Sequence, residues 1–184
     1  MRCSPSSSRR PASCWGRAWA RCSPSSSATR RDRPGGCSSC TEEILTRGFL
    51  LPVIGARWGA VAGVGVSSLF FVVLHLLNPG ITLLSVVNIV LVGVLLSLYA
   101  LFEGALWGVC LWHAAWNWAQ GNLFGFEVSG QVTGMLSVAD LRESGPDDVT
   151  GGLFGPEGGL VTTGVLLLGI VVLLSVNRRH LGKR

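Results

Sequence analysis

Residues 81–101, "ITLLSVVNIVLVGVLLSLYAL", carry no charged side chain. Three further runs are nearly as apolar: "GAVAGVGVSSLFFVVLHLL" at 59–77, "ALWGVCLWHAAWNWAQGNL" at 105–123 and "LVTTGVLLLGIVVLLSV" at 160–176. An α-helix rises about 1.5 Å per residue, so about 20 residues cross the ~30 Å hydrocarbon layer, and somewhat shorter runs are tolerated. Strands are excluded as spans, because the open edge of a sheet cannot face lipid. The expected fold class is therefore all-α, a polytopic transmembrane helical bundle of four full spans plus one short helix before them.

Composition agrees. Of the 184 residues, 48% are hydrophobic and only 14% are charged, too apolar for an ordinary soluble domain. The net charge of +5 is unevenly spread. Eight of fifteen basic residues lie up to Arg33 and four close the chain in "NRRHLGKR", while 122–159 holds six acids against Arg142. That asymmetry speaks to membrane sidedness rather than to nucleic acid, so the lipid bilayer is the expected partner and nucleic acid is not.

Three segments follow. Residues 1–40 are rich in Arg, Ser and Pro, with "CSPSSSRR" recurring as "CSPSSSATRR", and this composition cannot offset chain entropy by burial. Its acid-poor character mimics an organelle transit peptide, and a non-native start is the preferred reading. Residues 41–176 form the membrane domain, and 177–184 a basic cytoplasmic tail by the positive-inside rule. Tracing back from that tail puts the arginine-rich start outside, a conflict that a foreign start removes. Cys37 and Cys40 make a lone C-x-x-C; a zinc ribbon needs a second such pair, so they read as ordinary thiols. Gly59 with Gly63, and Gly104 with Gly108, have the small-x-x-x-small spacing of close helix packing. The tryptophans near the ends of the runs read as interfacial anchors. The segment 44–51 looks helical, with Pro52 ending it after about half a bilayer.

Polar side chains inside spans are costly, roughly 2.5–3.5 kcal/mol for a charge at the bilayer centre, so each one here calls for a reason. Glu43 and Arg47 stand four apart with the acid first, the favourable order for an intrahelical ion pair. Glu42 is turned about 100° away and is left over. Phe71 and His75 are four apart, as are His113 and Asn117. The runs carrying His75 and His113 point the same way and the helix of Glu42 points oppositely, so Glu42, His75, His113 and Asn117 fall towards one membrane face. An isolated histidine in a span reads equally well as a helix-to-helix hydrogen bonder, as Asn88 and Gln120 do. Four groups at one depth favour a hydrolytic site.

The chemistry those groups allow is water activation. A carboxylate and an imidazole (Glu42 with His75) can take a proton from water as it attacks a carbonyl, and a second imidazole with a carboxamide (His113 with Asn117) can donate to the oxyanion. The alternative is zinc held by His75 and His113 with Glu42, leaving a water position. The sequence leaves the cofactor open: none, or zinc.

In order and spacing, "EEILTR", "FVVLH" and "HAAWN" resemble the Glu-Glu-x-x-x-Arg, Phe-x-x-x-His and His-x-x-x-Asn motifs of the membrane-embedded CAAX prenyl endopeptidase (CPBP, Abi-like) family. The later "GLFGPEGGL" at 152–160 is similar to loops of its bacterial members. The resemblance implies a multi-pass protease of the bacterial cell membrane that cuts membrane-associated peptides or proteins, prenylated ones among them. It implies Glu42 and His75 as water activators, His113 and Asn117 as oxyanion donors, and Glu43, Arg47 and Phe71 as structural support. It also leaves a non-catalytic bacteriocin-immunity or peptide-binding protein on the same scaffold, or an inactive fragment, as alternatives. The family places apolar helices before the double glutamate where this chain has its arginine-rich segment, so an N-terminally truncated domain is expected.

Overall fold

A computed structural model of the chain describes residues 35–132, 137–139, 141 and 143–181. The expectations for residues 1–34 and 182–184 lie outside these. Among the described residues the chain is helical, apart from a single bridge between Val128 and Gln131.

Helix α1 spans Gly35–Glu43, six residues ahead of the expected boundary at Thr41. It passes without a break into a π-helical segment, Ile44–Leu50, and then into α2, Leu51–Trp58. Pro52 therefore does not end the helix. The Leu51 N–H bonds the Thr46 carbonyl five residues back, and Pro52 follows where the ladder returns to the four-residue register. A missing N–H costs least at such a change of register. The chain stops instead at Gly59, whose φ of 87° suits only glycine.

Helix α3 (Ala60–His75) returns along α2 and the π-helical segment before it. Gly63 sets the closeness of this return, since a Cβ there would stand 2.8 Å from the Leu51 carbonyl oxygen. A capping box between Thr82 and Ser85 opens α4 (Leu83–Glu103), and Gly104 closes it in the left-handed region. Helix α5 (Trp107–Trp118) continues into a second π-helical segment, Ala119–Leu123. A short α6 (Asp147–Thr150) and two 3₁₀ turns, Gly152–Phe154 and Pro156–Gly158, lead into α7 (Leu160–Leu181).

Two helices, α4 and α7 up to Arg178, are long and apolar enough to cross a membrane. Helix α3 is apolar but has 16 residues, and the α-helical part of α5 has 12. Two of the four expected full spans, α4 and α7, thus meet the length of a bilayer crossing; α3 and α5, the latter continued by five π-helical residues, fall just under it. Gly59 and Gly104 also depart from expectation. Both terminate helices at positive φ with open space around them, so only Gly63 of the first pair makes the close helix contact. Spacing by four looks the same whether a glycine packs or caps.

The bundle is apolar outside and polar within. Leu69 and Val73 on α3, Leu111 on α5 and Leu168 and Val172 on α7 are exposed. Ser67, Ser68, Ser85, Asn88 and Ser97 are buried, as are Glu43 and Arg47. Lipid tails offer no hydrophobic gain for burying leucine, so helix association rests on close packing and interhelical hydrogen bonds. Two small apolar clusters complete the interior. One comprises Leu51, Leu96, Ala100 and Val109. The other comprises Phe71, Val72, Ile89 and Phe154, the last carried in by the turn before α7.

Candidate active site

Helix α1 supplies both glutamates, and the i,i+4 rows of its neighbours supply the groups they meet. Glu43 and Arg47 form the expected ion pair at 2.9 Å, with both side chains fully buried. The guanidinium also donates to the Gly93 carbonyl (3.1 Å), to Thr46 Oγ1 (2.9 Å) and more weakly to Ser97 Oγ (3.4 Å), and its Cζ lies 4.5 Å from the Phe71 ring centroid. Thr46 is pinned in turn, donating to the Glu42 carbonyl, while its own carbonyl accepts Ser67 Oγ–H. Lone buried charges are expensive, and this one is met by five partners.

The same carboxylate oxygen of Glu43 accepts the Nδ1–H of His113 on α5 at 2.7 Å. One turn away on both helices, Asn117 Nδ2 donates to Ser39 Oγ at 3.0 Å. The rungs 39–117 and 43–113 show α1 and α5 running antiparallel. The contacts 42–75 and 46–67 show the same for α1 and α3. So α3 and α5 point one way and α1 the other, the arrangement expected from the chain order.

Glu42, the carboxylate left over by Arg47, accepts Ser38 Oγ–H on Oε1 and turns Oε2 to within 4.0 Å of His75 Nε2. His75 Nδ1 lies 2.8 Å from the Phe71 carbonyl, which can only accept. The proton is therefore on Nδ1, so the neutral ring turns its Nε2 lone pair towards the carboxylate. A direct hydrogen bond does not span 4.0 Å, but one water between two acceptors does. Phe71 joins the two halves, its ring 4.6 Å from that of His75 and 5.9 Å, edge-on, from that of His113. Both imidazoles open on a cavity of about 150 Å³ walled mainly by apolar groups of α4, α5 and α7, including Val92, Trp112 and Leu166.

The expected residues thus fall into two linked pairs, with one difference. His113 is bound to Glu43, which the i,i+4 pattern had assigned wholly to Arg47. Ser39, fully buried, was missed because it lies in the segment set aside as irregular, although it sits one turn before Glu43. Asn88 does bond helix to helix, its Oδ1 accepting Thr163 Oγ1–H of α7 at 2.7 Å, and both Asn88 and Gln120 also donate to loop backbone. Asn88 Nδ2 donates to the carbonyls of Glu157 and Gly159, and Gln120 Nε2 to that of Glu127.

Zinc fits this donor set poorly. Two ligands held tetrahedrally at about 2.1 Å from zinc stand about 3.4 Å apart, against 4.0 Å between Glu42 and His75. Among the described residues no group of three His, Cys, Asp or Glu is placed to hold a metal ion.

The described residues form a helical bundle with an apolar exterior, in which buried Glu43, His75 and His113 stand beside a mainly apolar internal cavity. Residues 36–119 match the family model described as Rce1-like, type II CAAX prenyl endopeptidase. The matched segment carries all three motifs from Glu42 to Asn117, in agreement with the resemblance those motifs show to the CAAX endopeptidase family. Comparison with curated proteins and with solved structures gave no match.

Proposed function

We propose that the chain is an intramembrane endopeptidase that hydrolyses a peptide bond of membrane-associated peptides or proteins, prenylated chains being one substrate class to test. The observation that carries this reading is the one-water gap of 4.0 Å between Glu42 Oε2 and His75 Nε2, two acceptors facing each other. A water there donates one hydrogen to each and keeps its lone pair for the scissile carbonyl carbon. As the new C–O bond forms, Glu42 takes the proton and the carbonyl electrons move onto oxygen. Collapse of the tetrahedral intermediate breaks the C–N bond, and the same proton passes to the leaving amine.

His113 and Asn117 face the oxyanion. His113 gives its Nδ1–H to Glu43, which fixes the ring so that Nε2 is the atom left for the reacting group. Asn117 uses one N–H on Ser39, and its second serves the oxygen. Each such donor is worth roughly 2.7–4 kcal/mol in comparable sites. A multi-pass position in a bacterial cell membrane belongs to the same reading, supported by the exposed apolar faces of α3, α5 and α7.

The test is cleavage of prenylated and unmodified peptides by the protein in proteoliposomes. Glu42→Gln should lower the rate roughly 10²- to 10⁴-fold, the usual contribution of a positioned base, with helix content unchanged. Undiminished cleavage by that variant would remove Glu42 from the role. Binding without cleavage by the unaltered protein would favour a peptide-binding protein on this scaffold.

A further inference from the structure

Glu157 lies outside the three motifs and beyond the matched segment, yet it lines the same cavity as His75 and His113. It is half-buried on the 3₁₀ turn before α7, and its carboxylate is heavily engaged. Oε1 accepts the indole N–H of Trp116 at 2.9 Å, while Oε2 accepts the Ser129 backbone N–H (2.9 Å) and hydroxyl (2.6 Å). Hydrogen bonds to an ionised acceptor are about twice as strong as neutral ones, so this side chain holds two chain segments together.

Those segments matter to the site. Trp116 lies on α5 between His113 and Asn117 and stacks on Trp112, ring centroids 5.6 Å apart, with both indoles on the cavity wall. The turn that carries Glu157 is itself fixed. Asn88 donates to the Glu157 carbonyl at 2.7 Å and Thr162 Oγ1 to that of Pro156 at 2.6 Å, and Phe154 is buried beside Phe71. Gly130 N–H donates to the Phe154 carbonyl, and Asn78 Nδ2 to that of Ser129, which completes the wall on the loop side. Helix α5 is therefore gripped from two directions, by α1 through Glu43 and Ser39 and by this turn through Trp116.

We propose that Glu157 is a positioning residue of the candidate active site, a latch that ties the turn before α7 to Trp116 and Ser129, sets the angle of the α5 face bearing His113 and Asn117, and closes the loop side of the cavity. The consequence for catalysis rests on the proposed hydrolysis; the latch itself does not. Opening it exposes the imidazoles to solvent, and closing it aligns the oxyanion donors.

The experiment uses the full chain in nanodiscs with ¹⁵N-labelled tryptophan, the Trp116 indole signal being assigned through Trp116→Phe. Glu157→Ala should move that signal to the position of an indole without a carboxylate partner. It should also raise severalfold the labelling of His75 and His113 by diethyl pyrocarbonate, read by mass spectrometry. Glu157→Gln, which keeps one carbonyl acceptor but faces Ser129 with a competing donor, should fall between. On any peptide that the unaltered protein cuts, Glu157→Gln should lower kcat and kcat/KM together, the mark of interactions made in the transition state. A stationary Trp116 signal or unchanged histidine labelling in the alanine variant overturns the latch. Should that variant fail to fold, the near-isosteric Glu157→Gln decides by the same two readouts. A latch that responds in a protein cutting no peptide would leave this inference standing and remove the hydrolytic reading.

Discussion

Replacing Arg47 by methionine keeps most of the side-chain volume and removes the cation from an ion pair whose partners are both fully buried. Deleting one partner of such a pair costs about 3–5 kcal/mol, because the remaining carboxylate keeps its desolvation without its compensation. Loss of the guanidinium over the Phe71 ring adds about 0.5–2 kcal/mol, and methionine packing against the same ring returns part of that. A destabilisation of about 3–5 kcal/mol is expected, against about 0.2–1 kcal/mol had the pair been exposed. The double variant Glu43→Gln, Arg47→Met carries no buried charge at either position. It should recover most of the loss, with a coupling energy far above the roughly 0.3–0.5 kcal/mol scatter of additive pairs. Reversible unfolding in mixed micelles, followed by near-ultraviolet circular dichroism, gives all four corners of the cycle. A single variant costing under about 1 kcal/mol, or strict additivity in the double, would refute the claim that this pair organises the interior. Arg47→Lys is a sharper control, since one ammonium cannot reach Glu43, the Gly93 carbonyl and Ser97 together.

Two further outcomes follow from packing and from charge. Gly63→Ala drives a Cβ into the Leu51 carbonyl and should lower the unfolding midpoint markedly, whereas Gly65→Ala on the same helix meets open space and should be neutral or gain up to about 1 kcal/mol from helix propensity; equal midpoints would contradict the close approach of α2 and α3. In the loop before α6, burial chiefly, then the charges of Glu127 and Asp147, raises the Glu143 carboxyl above its ordinary value of 4.5. The folded loop thus holds this proton at pH values where the unfolded chain has lost it, so local stability falls as pH rises above about 4.5 through the raised value. Hydrogen exchange of α6, corrected for intrinsic rates, should show that loss with rising pH, and Glu143→Gln should flatten it.

Much of the site was legible because an α-helix brings residues four apart onto one face. That rule alone paired Glu43 with Arg47 and set Phe71 beneath His75, and both contacts are present. It failed where the ladder leaves the four-residue register. The π-helical segment at Ile44–Leu50 carries the chain through Pro52, and a proline in a linear reading marks a stop. It also had no means to tell the capping Gly59 and Gly104 from the packing Gly63, nor to see that Trp116 and Ser129 converge on Glu157. Those contacts span tens of residues and leave no periodic trace.

By itself the amino-acid order determined that the chain is helical and which side chains share a helix face, because hydropathy and a 3.6-residue repeat are local properties of the backbone. Tertiary structure alone decided that Glu43 also receives His113, that Asn117 reaches Ser39, and that Phe154 closes the core beside Phe71. Such choices depend on the register and depth at which separate helices meet. Those are fixed by whether a glycine lets two backbones approach and by which buried polar atoms find partners, energies that exist only once the helices are packed.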